Sequence, residues 1–188
     1  GERFRVVERG LCERGDGWLL LSLQLERLGG GADYFGFSVD LDSIRTRLCS
    51  LQSVKPSRLR LLLDSNGHYE VEEHPLPEVK PMVMLKLASR PVNSRDIFLF
   101  HKTTHRGVYE RARNDANHCD DVILWNEKNE ITETTIANLF LKIDGELVTP
   151  PIESGLLAGT YRRHMLENGQ VKEAVVKKSD LVKASRIY

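Results

Sequence analysis

Short apolar runs separated by turn signals recur along the whole chain. Val6 and Val7, then Leu19 to Leu21, flank Arg14-Gly15-Asp16-Gly17, which predicts a hairpin running into a helix. Gly29-Gly30-Gly31 follows. Each glycine costs roughly 1 kcal/mol relative to Ala in a helix interior, so this run predicts a break or a mobile loop. From Asp40 the period becomes helical: Asp40 or Asp42 can cap, and Ile44, Leu48 and Leu51 share one face of an amphipathic helix ending near Leu51.

The next unit is Leu59 to Leu63, then Ser65-Asn66-Gly67-His68, then Tyr69 to Glu72. An Asn-Gly pair between strand-like runs predicts a hairpin whose two central residues both take positive φ. Pro75, Pro77, Pro81 and Pro91 bracket an extended strand over Met82 to Leu87, and the boundary between two lobes is expected near residues 88 to 95. Beyond it, Thr103 or Thr104 can cap a helix carrying Val108, Tyr109 and Ala112. Strands are expected at Asp121 to Trp125, Ile136 to Ile143, Glu146 to Thr149 after an Asp144-Gly145 turn, and Val171 to Val176. Gly155 to Leu166 reads as a loop entering a helix, and Ser179 to Ala184 as a short helix capped by Ser179. The sum is a mixed α/β chain of short elements, with no repeat.

Composition narrows the function. The 188 residues carry 27 Lys plus Arg against 27 Asp plus Glu. Without a basic excess, nucleic acid is not an expected partner, because phosphate neutralisation supplies most of that affinity. The longest apolar runs, such as Trp18 to Leu21, fall short of the ~20 residues of a membrane-spanning helix, so no membrane association is expected. Cys12, Cys49 and Cys119 are odd in number and widely spaced, and no secretory leader is evident, which points to a cytoplasmic protein with free thiols. The length predicts one domain or two small ones.

Three features could carry chemistry. Lys102 follows the apolar run Ile97 to Phe100 just ahead of a helix start. Partial desolvation there would lower its pKa and make the amine a nucleophile, whereas the bland alternative is a surface lysine at an element end. His101 and His105 have metal-ligand spacing, but no third ligand is evident and no metal is expected. Glu133 stands among threonines ahead of an apolar strand, either as an edge charge or as a carboxylate kept ionised beside a ring nitrogen. Gly155-Leu156-Leu157-Ala158-Gly159-Thr160-Tyr161 opens a helix, where N–H groups suit phosphate as well as ordinary capping.

The order of these motifs changes their weight. His101-Lys102-Thr103-Thr104, Asp121 to Glu127, Thr132-Glu133-Thr134-Thr135-Ile136-Ala137-Asn138-Leu139-Phe140, Thr149-Pro150-Pro151 and Gly155 to Thr160 together resemble the class IV (fold type IV) pyridoxal-phosphate enzymes over nearly the whole chain. That family includes branched-chain and D-amino-acid aminotransferases and aminodeoxychorismate lyase, and the likeness is greatest to the lyase-like domain of fused para-aminobenzoate synthase component I.

The resemblance implies a two-lobed α/β (α+β) fold, with a small α/β lobe over residues 1–90 and a larger pseudo-barrel lobe over 91–188. It also implies a homodimer and pyridoxal 5'-phosphate (PLP) as cofactor. Lys102 would hold the cofactor covalently and move protons, and Glu133 would face the pyridine nitrogen. The N–H groups of Thr160 and Tyr161 would bind the phosphate, together with Arg27 from a segment, Leu23 to Leu28, that matches the family's phosphate-gripping arginine. For Tyr109, core packing is the favoured reading over an approach to the cofactor. The implied substrate is a small amino compound, first 4-amino-4-deoxychorismate, split to 4-aminobenzoate and pyruvate. An aminotransferase acting on branched-chain or D-amino acids is the alternative. Arg9 in place of a threonine, Gln24 in place of a histidine and the triple glycine depart from the pattern. They favour a third reading, a catalytically silent domain partnering an aminodeoxychorismate synthase component. Relatives are also expected to continue for about one strand beyond Tyr188.

Overall fold

In the computed structural model, which describes residues 4–13, 17–51 and 55–188, the chain divides into two units: Gly1–Val79 with Lys102–His105, and Lys80–His101 with Arg106–Tyr188. The division thus falls ahead of residue 90, and one short segment returns to the first unit.

The first unit is built on β1 (Val6–Glu13), β2 (Gly17–Trp18), α1 (Leu21–Phe35), α2 (Leu41–Cys49), β3 (Ser57–Leu63) and β4 (Tyr69–Pro75). Its antiparallel sheet has the order β2-β1-β3-β4, so both expected hairpins are present; residues 14–16 of the first turn lie outside the described residues. The alternation of β3 puts Leu59, Leu61 and Leu63 in one core with Leu25, Leu28 and Ala32 of α1 and Ile44 and Leu48 of α2. Asp40 caps α2, accepting from the Ser43 N–H at 2.9 Å.

Two expectations fail here. The glycine run does not break the helix, because α1 continues through it to Phe35. Leu28, Gly31 and Ala32 are buried, and a Cβ on Gly29 would meet Leu41 at 3.0 Å. Burying one leucine side chain contributes about 1.5–3 kcal/mol, so Leu25 and Leu28 together offset the helix penalty of roughly 3 kcal/mol for three glycines. In the Asn66-Gly67 turn only Gly67 has positive φ, at 88°. Asp64 accounts for this: its carboxylate accepts from the N–H groups of Asn66 and His68, fixing a wider loop than the two-residue turn expected.

The second unit contains β5 (Leu85–Leu87), α3 (Ile97–Phe100), α4 (Gly107–Asn114), β6 (Asp121–Trp125), β7 (Ile131–Thr134), β8 (Leu141–Ile143), β9 (Glu146–Thr149), α5 (Thr160–Glu167), β10 (Lys172–Glu173) and β11 (Ala184–Ile187). One sheet has the order β5-β6-β7 and the other β10-β9-β8-β11. The Asp144-Gly145 turn has positive φ at both residues, as a tight hairpin demands. Val122 and Leu124 of β6 pack with Leu99 and Tyr109, while Ile123 packs with Ile131, Leu139, Leu141 and Val176.

Several strands are shorter than expected: 85–87 within 82–87, 172–173 within 171–176, and 141–143 within 136–143. In the last case Thr134 explains the difference. Its hydroxyl accepts from the N–H groups of Ile136 and Ala137 and donates to the Ala137 carbonyl. That local alternative to a ladder holds 134–137 as a tight loop. Thr103 and Thr104 do not cap α4, whose start at Arg106 has no side-chain cap. The turn at Lys178–Lys183 is a 3₁₀ turn closed by Asp180 on the Lys177 N–H, not by Ser179. Among the described residues no helix is long and apolar enough to cross a membrane.

Candidate active site

Lys102 belongs to the first unit because its segment extends the edge of β1. The Val7 N–H donates to the Lys102 carbonyl at 2.8 Å, the Thr104 N–H to the Arg5 carbonyl at 2.9 Å, and Val6 bridges Thr103. The freed threonine hydroxyls tie the segment down: Thr104 Oγ1 accepts from the Arg5 N–H and Thr103 Oγ1 from the His105 N–H. Lys102 is therefore a half-buried lysine on a fixed backbone, and burial holds neighbouring His101 below the usual imidazole range.

In the same unit Arg27 meets a partner that the sequence does not announce. Glu8, buried at 2% exposure, accepts from Arg27 Nε at 2.8 Å and from Nη2 at 2.6 Å. This is the bidentate fork expected for an arginine gripping an oxyanion, here closed on a carboxylate of the first strand. Gln24, one turn earlier, is buried and donates to the Leu19 carbonyl.

The second unit holds Glu133, 4% exposed in the middle of β7. Its Oε1 accepts from the Tyr109 hydroxyl at 2.9 Å and from the Leu157 N–H at 3.4 Å, and its Oε2 from Asn138 Nδ2 at 3.1 Å. The Thr134 loop brings Asn138 back to bridge Glu133, and the Asn138 amide also donates to the Leu157 carbonyl at 2.9 Å. Burial first, and the Glu133 carboxylate second, raise the Tyr109 phenol well above its ordinary pKa, so the phenol keeps the proton that it donates to Glu133. The buried carboxylate thus accepts from three donors.

The start of α5 lies on the same network. A Cβ on Gly159 would fall 1.9 Å from Asn138 Oδ1, so glycine is required by close approach. Gly159 also offers no side chain to cap the helix, and the Thr160 and Tyr161 N–H groups have no partner within it. Arg162, 2% exposed, anchors this first turn by donating to the Pro150 carbonyl at 2.8 Å and to Glu173. A further support is Asn126, fully buried, which donates to Glu130 and the Ser154 carbonyl just before Gly155.

Thus Glu133 and the α5 N-terminus are brought together through Asn138, and Arg27 is paired with Glu8. Tyr109 is in the core as expected, yet its hydroxyl has a polar task. Among the described residues no group of three or more His, Cys, Asp or Glu side chains is placed to hold a metal.

A family model described as amino-transferase class IV matches residues 5–188. A "Putative aminodeoxychorismate lyase" of Schizosaccharomyces pombe is 32% identical over 162 residues, covering 82% of this chain and 70% of that protein. A "Putative amino-acid aminotransferase" from Mesorhizobium loti has the same architecture with a TM-score of 0.90 and 32% identity, over 98% of this chain and 92% of that one. The 4-amino-4-deoxychorismate lyase of Pseudomonas aeruginosa shares the fold, with a TM-score of 0.80 at 19% identity over 97% of this chain and 77% of that one. The class IV family is PLP-dependent. The residues present fit that cofactor: a buried carboxylate held by three donors suits a ring nitrogen, and an uncapped helix start with no room for a Cβ suits a phosphate.

Proposed function

Since the chain belongs to the class IV aminotransferase family, a family of PLP-dependent enzymes, we propose that it is a lyase converting 4-amino-4-deoxychorismate to 4-aminobenzoate and pyruvate, a step of folate biosynthesis. The observation that carries this choice is the 32% identity with the Schizosaccharomyces pombe protein across 82% of the chain.

Lys102 would hold the cofactor covalently through its amine. The same amine would act as the base that removes the proton from the carbon bearing the substrate's amino group. Bound PLP supplies the electron sink for this proton removal. Glu133 keeps the ring nitrogen protonated, and the Thr160 and Tyr161 N–H groups bind the phosphate. Arg27 adds to the phosphate's binding as the guanidinium of the matching segment Leu23 to Leu28. Departure of the enolpyruvyl side chain as pyruvate leaves an aromatic ring, so the protein supplies mainly orientation and one acid–base group.

The test is pyruvate release from 4-amino-4-deoxychorismate, followed by a coupled dehydrogenase. Lys102→Ala is expected to lower the rate by a factor of about 10² to 10⁴, as for loss of a general base. A Lys102→Ala protein that turns over like the wild type sinks the assignment. A second reading, an amino-acid aminotransferase, is favoured by the 32% identity over 92% of the Mesorhizobium loti chain. It predicts amino-group transfer to a keto acid with no pyruvate release from aminodeoxychorismate.

A further inference from the structure

We propose that Tyr109 is a positioning residue for Glu133, fixing the rotamer and charge of that carboxylate and, through it, the proton on the cofactor's ring nitrogen. The inference rests on the assignment of Glu133 above.

The two carboxylate oxygens are held from two separate elements. Oε1 takes the Tyr109 hydroxyl, from α4, and Oε2 takes the amide of Asn138, from the loop after β7. Removing the Tyr109 donor leaves Oε1 with only the longer 3.4 Å bond from the Leu157 N–H among those described, and so loosens the hold on the carboxylate's last bond. The Tyr109 ring is itself clamped. Arg106 lies over its face, 4.3 Å from the centroid, and that guanidinium is tied to the Thr135 carbonyl.

Apolar packing does not account for the hydroxyl. Tyr109 sits with Leu99, Val122 and Leu124, where phenylalanine would fill the same volume. A phenol buried in this way needs a partner for its O–H, and it has a carboxylate. The charges that bear on the phenol oppose each other: Glu133 and Asp96 hold its proton on, and Arg106 acts against them with a smaller effect than Glu133. The hydroxyl therefore donates and does not accept from Glu133. A carboxylate supplied with such a donor is a weaker base, so a proton shared with a pyridine stays on the pyridine.

The test is Tyr109→Phe, which removes one oxygen and leaves the ring in the core. Three quantities are measured: thermal unfolding without cofactor, the PLP dissociation constant by titration, and the absorption spectrum of the bound cofactor. The expected result is a folded protein that binds PLP about tenfold more weakly, the loss of one hydrogen bond to a charged group. Its spectrum is expected to move away from that of the ring-protonated form. A folded Tyr109→Phe protein with wild-type affinity and spectrum overturns the inference while leaving the proposed function standing. A wild-type protein that takes up no PLP overturns both. Should Tyr109→Phe fail to fold, 3-fluorotyrosine placed at position 109 keeps the hydroxyl and reports by fluorine NMR. Its resonance is expected to shift on adding PLP in the wild-type background and to stay in place in a Glu133→Ala protein. A resonance that PLP does not move in either overturns the inference.

Discussion

At the residue scale, Gly159 shows how a backbone position can be dictated by a side chain far along the chain. The space where its Cβ would stand is filled by Asn138 Oδ1, 1.9 Å away, and Asn138 in turn holds Glu133 and the Leu157 carbonyl. In Gly159→Ala the amide has to move, giving up hydrogen bonds inside a packed region. We expect the variant to be about 1–3 kcal/mol less stable, the usual cost of overpacking, and to bind PLP more weakly. Denaturant unfolding and cofactor titration read the two effects, and a Gly159→Ala protein equal to the wild type in both would show that Asn138 does not hold the Glu133 carboxylate in place. Glu133 and the helix start at Thr160 were legible from the order of motifs, because each sits in a local pattern of threonines or glycines. Glu8 and Tyr109 were not, since their partners lie 19 and 24 residues away and no local spacing encodes such a pair.

At the scale of elements, the strongly periodic helices and the two hairpins of the first unit are readable, and the main errors have opposite causes. Local propensity gave way to packing in α1, where buried Leu25, Leu28 and Ala32 on one face carry the helix across three glycines. In the segment 136–140 the reverse occurred: an apolar run that looks like a strand is diverted by the Thr134 hydroxyl. The diversion is what returns Asn138 to Glu133. The glycines of α1 are not equivalent. Gly29 lies against Leu41, whereas a Cβ on Gly30 would meet nothing within 4 Å. Gly30→Ala therefore removes backbone entropy from the unfolded chain without a steric cost, and is expected to stabilise the protein by about 0.5–1 kcal/mol. For a chain of this length that is a rise of roughly 1–4 °C in Tm. A fall in Tm would mean that the helix needs glycine at this position for a reason other than space.

For the molecule as a whole, the balance of 27 basic and 27 acidic residues bears on how an anionic cofactor would be held. Two arrangements can bind a phosphate ester: a broad basic field, or a local cup of oriented donors. A field works over distance and is screened beyond about 10 Å at 0.1 M salt. Proteins that bind polyanions in that way lose roughly 10³–10⁵ in affinity between 50 and 200 mM salt. Here the net charge is zero, Glu8 engages two donors of Arg27, and the uncapped start of α5 offers backbone N–H groups. Backbone dipoles act at hydrogen-bond range, so added sodium chloride has little to screen. The PLP dissociation constant is thus expected to change by less than about threefold between 50 and 200 mM sodium chloride. Inorganic phosphate, which fits the same N–H groups, is expected to weaken PLP binding at constant ionic strength. Equal effects of the two salts, or a steep dependence on sodium chloride, would place the affinity in long-range charge and remove the helix start as the phosphate's principal partner.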